Sequence, residues 1–333
     1  MTKTAPLRIA IVGCGKQSEK HIKGLKTANN GVEFLLVDTN EQAAKKLGEQ
    51  LNMPWTTDID AALKDVSAVD ICTPTQSHKP LISRALGAGK DFFCEKPLCE
   101  SLDEAREISG MVKNSGRIGM IGYIYRFAPV FEQAKEIISS GALGKPVAAT
   151  FRIGGRGSHQ VWKHMKKTGG GALNEMLVHM LDLAIWYFGR TEETQVLDSR
   201  LLRPSRVING KAETVDAEDW IVVRAKMQNG AEVLFQADMA TPAFSQSMEI
   251  QGENGTLVAS IQPDRPSYIH LDKPAGNHPA GKTVLKTEGT EFFNAQMKEF
   301  LDAVGQKRPP RRCTVEDSVL VVEAVENIRK QVK

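Results

Sequence analysis

Arg8-Ile9-Ala10-Ile11-Val12-Gly13-Cys14-Gly15-Lys16-Gln17-Ser18 is the stretch that decides the fold. A short apolar strand runs into a Gly-x-Gly turn and leaves it as a helical pattern. Gly13 permits the tight turn, and Gly15 lets the backbone approach a pyrophosphate. The helix that follows offers free N–H donors to an anion. Gly13, Gly15, Lys16, Gln17 and Ser18 are therefore the expected phosphate contacts. Ser18 stands where such turns carry a third glycine; that position governs helix–strand packing, so a small serine costs little. A Gly-x-Gly by itself is common to many turns, and its surroundings give it weight. Asp38 ends the next strand, 20 residues after Ser18, where a carboxylate accepts hydrogen bonds from ribose hydroxyls. The same charge repels a 2′-phosphate, and Thr39-Asn40 supplies no cation, so NAD is expected ahead of NADP. A helix-capping role for Asp38, toward the helix from Asn40, is compatible with that job.

Working outward, residues 1–122 alternate strands with helices. Strand patterns cover Arg8–Gly13, Val32–Asp38, Val69–Thr73, Asp91–Glu95 and Arg117–Gly122, with helical patterns between them. Ser101 and Glu104 form a capping box for the last of these helices. The alternation implies βαβ units and a parallel sheet. After residue 122 the pattern changes. Helices are expected over Pro129–Ser140 and Gly170–Phe188 and at the end of the chain, over Glu291–Val304 and Thr314–Lys330. Asn229-Gly230 and Asn254-Gly255 each sit between strand-like runs and mark hairpins. The Gly/Pro-rich stretch 262–282 reads as loop. The expected fold is α/β: an N-terminal Rossmann doubly wound parallel sheet plus a C-terminal α+β domain with a large open, mostly antiparallel sheet. Residues 1–122 would bind the dinucleotide, and 123–333 would serve substrate binding and oligomerisation. An open sheet face of that size needs a partner surface, so a homodimer or homotetramer is expected.

Composition narrows the function classes. The chain has 333 residues, 41% of them hydrophobic and 25% charged, as in ordinary soluble globular proteins. A net charge of +3 is too small to imply nucleic acid or a membrane surface. The five cysteines match no zinc or disulfide spacing, and no metal is called for. The leader is short and polar, and no apolar run approaches the roughly 20 residues of a membrane span, so a cytoplasmic location is expected.

Two further segments lie at carboxyl ends of strands, where a doubly wound sheet opens its ligand crevice. Cys72-Thr73-Pro74-Thr75-Gln76-Ser77-His78 places a turn near the nicotinamide ribose, with His78 opening a helix. Cys94-Glu95-Lys96-Pro97 places a cation where it can hold a substrate hydroxyl beside a nicotinamide. Thr73, Pro74, His78, Glu95 and Lys96 are thus grouped with the cofactor. Farther on, Glu175, His179 and Asp182 fall at i, i+4 and i+7 of one helix and share a face. On the residues alone, that trio also fits a core histidine tied by two carboxylates.

Together these pieces resemble the glucose–fructose oxidoreductase, inositol dehydrogenase and rhizopine-catabolism (Gfo/Idh/MocA) family. The resemblance rests on Gly13-Cys14-Gly15 with His21, on Cys72-Thr73-Pro74 with His78, and on Ala88-Gly89-Lys90 leading into Glu95-Lys96-Pro97. It continues through Tyr125-Arg126-Phe127-Ala128-Pro129 and through Gly169-Gly170-Gly171-Ala172-Leu173 to His179 and Asp182. It implies an NAD(P)-dependent sugar or polyol dehydrogenase with Lys96 and His179 in the active site. One departure stands out: the family often has an aspartate four residues before its catalytic histidine, and here that position is Glu175.

The chemistry expected is hydride transfer with acid–base help. His179 takes the proton of a ring hydroxyl, a carboxylate neighbour such as Glu175 raises its basicity, and Lys96 stabilises the developing alkoxide. The stretch 152–167 carries Arg152, Arg156, Lys163, Lys166 and Lys167 without a single acid, with Trp162 among them. Either it is a solvated basic loop, or Arg156, Trp162 and Lys163 line the substrate site and an anionic sugar is read there. Tyr125 and Arg126 are placed at the same site. Two other functions compete: an NAD-dependent glycoside hydrolase working by transient oxidation and elimination, and a non-catalytic sugar-binding regulator.

Overall fold

A computed structural model describes residues 7–287 and 291–332. The chain divides into two compact units: Met1–Phe127 with Thr290–Val322, and Ala128–Gly289 with Glu323–Lys333.

The first unit is built on a six-stranded sheet. Its strands are β1 (Arg8–Val12), β2 (Glu33–Val37), β3 (Trp55–Thr56), β4 (Ala68–Ile71), β5 (Asp91–Cys94) and β6 (Gly119–Ile121). They are parallel and lie in the order β3-β2-β1-β4-β5-β6. This is the doubly wound arrangement, whose strand order reverses between β1 and β4. Ile9, Ala10, Ile11, Leu36, Ala68 and Ile71 are wholly buried, as a sheet covered on both faces requires. The connecting helices are α1 (Lys16–Ala28), α2 (Glu41–Leu51), α3 (Ile59–Asp65), α4 (His78–Gly87) and α5 (Leu102–Ser115). Ser101 caps α5 through Glu104 N–H, as the capping box predicts.

The sequence assigned all of 123–333 to the second domain, and the structure differs. The later helix α8 (Phe292–Gln306, numbered in chain order below) clusters with the first unit. The Phe293 ring lies 5.2 Å from His21 of α1, and Phe300 lies 5.7 Å from Phe93 of β5. Apolar burial pulls the segment back, which helical periodicity alone does not reveal.

The second unit begins with α6 (Pro129–Ser139) and β7 (Pro146–Gly154). A helical segment then runs through α7 (Val178–Phe188) into β8 (Thr191–Arg200), β9 (Ser205–Ile208) and β10 (Lys211–Thr214). The remaining strands are β11 (Trp220–Met227), β12 (Glu232–Asp238), β13 (Ser245–Gly252), β14 (Gly255–Ala259), β15 (Tyr268–Leu271) and β16 (Gly281–Val284). The chain ends through α8 and α9 (Val315–Arg329). Strands β9 and β10 pair alone; the others form an eight-stranded sheet in the order β16-β15-β14-β13-β7-β12-β11-β8. Only β7 and β12 pair in parallel, so the sheet is mostly antiparallel, as expected. Its residues alternate: Phe151, Val223, Phe235, Met248 and Leu257 are buried, while Thr150, Arg224, Leu234 and Glu249 face outward and are exposed. Both Asn-Gly hairpins form where the sequence placed them. The stretch 262–282 is not all loop, since it contains β15 and the start of β16.

Candidate active site

In the first unit, three turns at carboxyl ends of neighbouring strands converge. After β1, Gly13 has φ +95°, and a Cβ there would lie 3.0 Å from the Cys72 carbonyl at the end of β4. A glycine is thus what lets the first turn and the β4 turn pack together. Nothing lies within 4 Å of where a Gly15 side chain would point, leaving the turn open to a ligand. Ser18 is buried and its hydroxyl donates to the Gly15 carbonyl at 2.6 Å, so it closes the turn from inside. Lys16 is exposed at the start of α1. The Gln17 side chain turns inward and donates to Glu95 Oε1 at 2.8 Å.

Asp38 follows β2. Its Oδ2 accepts from the Cys14 N–H at 2.8 Å and its Oδ1 from the Asn40 N–H at 2.8 Å. The cap of α2 is Asn40, whose side chain accepts from Ala43 N–H. Asp38 therefore braces the phosphate turn and keeps lone pairs for further donors. Burial first, and the Asp38 charge second, push the Cys14 thiol up to about 12, so it stays protonated.

At the end of β4, the Thr73 hydroxyl is buried and has no hydrogen-bond partner among the described residues. A buried hydroxyl without a partner costs free energy unless something outside the chain completes it. With the open Gly15 turn and the Asp38 acceptor, it fits a dinucleotide: the first turn and α1 for the pyrophosphate, Asp38 for a ribose, Thr73 for a polar group nearer the nicotinamide.

His78 does something other than meet a ligand. It is 1% exposed, and its ring nitrogens lie 2.9 Å from the carbonyls of Pro97 and Thr73. A neutral ring donates to only one of these carbonyls, and His78 fills the space between the β4 turn and the Glu-Lys-Pro turn. Burial outweighs those two carbonyls and holds its pKa below 6.5. Lys96 is half-buried at the end of β5, with its backbone N–H donating to Glu95 Oε2 at 3.1 Å. Arg126 is a correction. The guanidinium is 1% exposed and pairs with Asp317 at 3.0 Å, while its carbonyl accepts from Arg312, so it is a buried tie to α9. Tyr125 is half-buried, and burial raises its hydroxyl pKa above the ordinary value.

In the second unit, the Gly169-Gly170-Gly171 run starts the helical segment. Gly171 has φ +113°, and a Cβ there would sit 2.5 Å from the Glu218 carboxylate. Glu218 accepts from Leu173 N–H at 3.0 Å, and Gly171 N–H donates to the Lys163 carbonyl at 3.0 Å. The sequence expected one regular helix from Gly170. Instead Leu173–Leu177 forms a widened π turn before α7, an irregularity often found at functional sites. Glu175 lies in that turn and His179 in the first turn of α7, half-buried; Asp182 is 1% exposed. The i, i+4 spacing of Glu175 and His179 therefore crosses a change of helical pitch. Glu175 pairs with Lys163 at 2.7 Å, and Lys163 Nζ stands 5.1 Å from the centre of the Trp162 ring.

Two cations of the basic stretch are paired with acids of their own unit. Arg152 pairs with Asp238 at 3.1 Å, Arg156 Nε donates to the Pro242 carbonyl, and Lys163 is held by Glu175. His164 is buried, with Nε2 2.9 Å from the Ser158 carbonyl, and burial lowers its pKa. Glu218 and Asp70 were missed by the sequence as site-building residues, while His21 entered only through the family resemblance and Glu95 was grouped with the cofactor. The available signal was Asp70, an acid inside the apolar strand Ala68–Ile71.

Fold and first-unit turns together define a dinucleotide-binding unit of the Rossmann type. Residues 7–123 match the oxidoreductase family with NAD-binding Rossmann fold, and residues 131–258 match the Gfo/Idh/MocA C-terminal domain. The chain belongs to the Gfo/Idh/MocA family of NAD-binding oxidoreductases. It is similar to inositol 2-dehydrogenase of Rhizobium meliloti (strain 1021), with 26% identity over 301 residues, 90% of this chain and 88% of that protein. Among solved structures it is similar to GenD2 from gentamicin A biosynthesis in complex with NAD. That likeness has a TM-score of 0.83 and 25% identity, and covers 99% of this chain and 95% of the other. Levoglucosan dehydrogenase in complex with NADH and levoglucosan shares the fold, at TM-score 0.86 and 20% identity, over 98% of this chain and 96% of the other. No described helix is long and apolar enough to cross a membrane.

Proposed function

We propose that this chain is an NAD-dependent dehydrogenase of a secondary hydroxyl on a sugar, cyclitol or sugar acid. The observation that carries the reading is the partnerless buried hydroxyl of Thr73, set between the open phosphate turn and Lys96. The resemblance to inositol 2-dehydrogenase supports a polyol as the substrate class. Lys96 binds the reacting oxygen and stabilises negative charge as it develops. His179 accepts the hydroxyl proton, and Glu175, Lys163 and Trp162 shape the surroundings of the substrate. When bound, NAD supplies the hydride acceptor; the protein's part is to orient the carbinol and manage its proton. Asp38 supports NAD ahead of NADP, since its carboxylate would oppose a 2′-phosphate.

The pairing of Arg152 with Asp238 and of Lys163 with Glu175 supports a neutral polyol ahead of an anionic sugar. A homodimer or homotetramer is also proposed. On the outward face of the sheet, Leu234 and Val284 share one cross-strand row and are 41% and 73% exposed.

The test is a screen of neutral sugars, cyclitols and uronates with NAD and with NADP, following absorbance of the reduced cofactor. The reading expects reduction of NAD by a neutral polyol. Absence of any reduction across the panel, with NAD bound, would count against it.

A further inference from the structure

Beneath the phosphate turn lies a buried group of charges that the proposed reaction does not use. His21, on α1, is 0% exposed. Its Nδ1 lies 2.9 Å from both carboxylate oxygens of Asp70, and its Nε2 lies 2.9 Å from Glu95 Oε1. A neutral imidazole carries one N–H and one lone pair, so it can satisfy only one carboxylate. The other would face a lone pair across 2.9 Å, beside a ring and an Asp70 carboxylate that are both wholly buried. With both acids ionised, both contacts are favourable only when both nitrogens carry protons.

The surroundings agree. The ring packs between Phe93 at 5.4 Å and Phe293 at 5.2 Å, neither of which can compensate a charge. Cys72 Sγ is 3.3 Å from Nδ1, and burial followed by the Asp70 charge pushes that thiol up to about 12, so it remains neutral. Burial opposes a charge on His21, but the Asp70 carboxylate outweighs it and the pKa is raised well above 6.5. On Glu95, burial is outweighed by the His21 contact, the Gln17 amide and Lys96, and the pKa falls to about 2. Cys94, raised by burial, and His78, lowered by burial, also lie near Glu95 and stay neutral.

Glu95 is the junction of this group. Oε1 accepts from His21 and from Gln17 of the first turn of α1, and Oε2 accepts from the Lys96 backbone N–H. We propose that His21 is a positioning residue: an imidazolium clamped between Asp70 and Glu95 that keeps Glu95 ionised, so that one carboxylate fixes both the phosphate turn and Lys96. This inference rests on the reading of Lys96 as the active-site amine. It gives the buried histidine a task in the reaction without contact with substrate or cofactor.

The test has two arms. In the wild-type protein, nitrogen-detected NMR of the His21 ring should show both N–H protons retained through neutral pH, where an ordinary histidine has lost one. In His21→Gln, an amide with one donor end cannot serve two acids. Turnover should fall on the order of ten- to a hundredfold through a displaced Lys96. A new acidic limb should also appear in the pH–turnover profile between about pH 5 and 7, as the buried Glu95, without its cation, titrates there. In the double variant His21→Gln, Glu95→Gln that limb should vanish while turnover stays low. A merely structural histidine would lower activity without moving the profile. Loss of a ring proton near neutrality, or an unshifted His21→Gln profile, would overturn the inference. Failure of the underlying reading is separate: it would show as Lys96→Ala retaining full turnover.

Discussion

In sequence, the turns of the first unit resemble the basic stretch of the other unit: each gathers charged and polar side chains near glycines. The structure treats them differently. In the first unit a hydroxyl is left without a partner, a glycine turn is open, and an acid keeps lone pairs in reserve. In the other, the cations of 152–163 are each taken by an acid or a carbonyl of the same unit. Charge in a sequence marks a ligand site only when the fold leaves it unmatched. A buried polar atom without a partner adds weight only beside an open turn, as at Thr73, since Arg8 Nε, His164 Nδ1 and Arg206 Nε are buried without one among the described residues as well.

The largest effect that sharpens this contrast belongs to Lys96. Lys96→Ala should reduce turnover by roughly a hundred- to a thousandfold, the usual loss when one donor to a developing oxyanion is removed. NAD affinity, measured by fluorescence titration, should change little. Unchanged turnover would remove the amine from the chemistry. Asp38→Ala comes next. It should weaken NAD about tenfold, as expected for a hydrogen bond to a charged group, and narrow the preference over NADP. An unaltered ratio would leave Asp38 as a brace for Cys14 alone.

Thr73→Val separates ligand-directed from structural polarity. It should weaken NAD by about 1 kcal/mol, roughly fivefold, while the ligand-free protein melts at the same temperature or higher, because a desolvated hydroxyl has been removed. A lower melting temperature would mean that the hydroxyl is completed within the fold. The smallest effect is on acid stability. Glu95 is depressed from 4.5 to about 2, so its contribution is complete above pH 4.5 and is lost as pH falls toward 2. His21 is raised, so its contribution is complete below pH 6.5 and is lost only as pH rises through its elevated folded value. The joint contribution is thus greatest between about pH 4.5 and 6.5, and calorimetry of His21→Gln should show the flanking slopes flattened.

How far the sequence reaches follows from local physics. Strands β1, β4 and β5 are readable because apolar runs end on Gly-x-Gly, Thr-Pro and Glu-Lys-Pro. The hairpins are readable because Asn-Gly turns have few alternatives. Trp55–Thr56 escapes because two residues carry no period, and Thr191–Arg200 because its polar residues show no apolar alternation. Tyr268–Leu271 was hidden among glycines and prolines. The π turn at Leu173–Leu177 has no sequence period to detect. Arg126 resembled a cleft residue only because its partner, Asp317, is 191 positions away. The same distance effect hid the return of Phe293 and Phe300 to the first unit.

The central claim is that hydride passes from a substrate carbinol to NAD and remains there as net reduction. A polyol deuterated at the reacting carbon tests this most directly, with the nicotinamide analysed by NMR after turnover. The account predicts one reduced cofactor per ketone formed, carrying the deuterium at C4. Product release without accumulating reduced cofactor, as in an oxidation–elimination–reduction cycle, would contradict it.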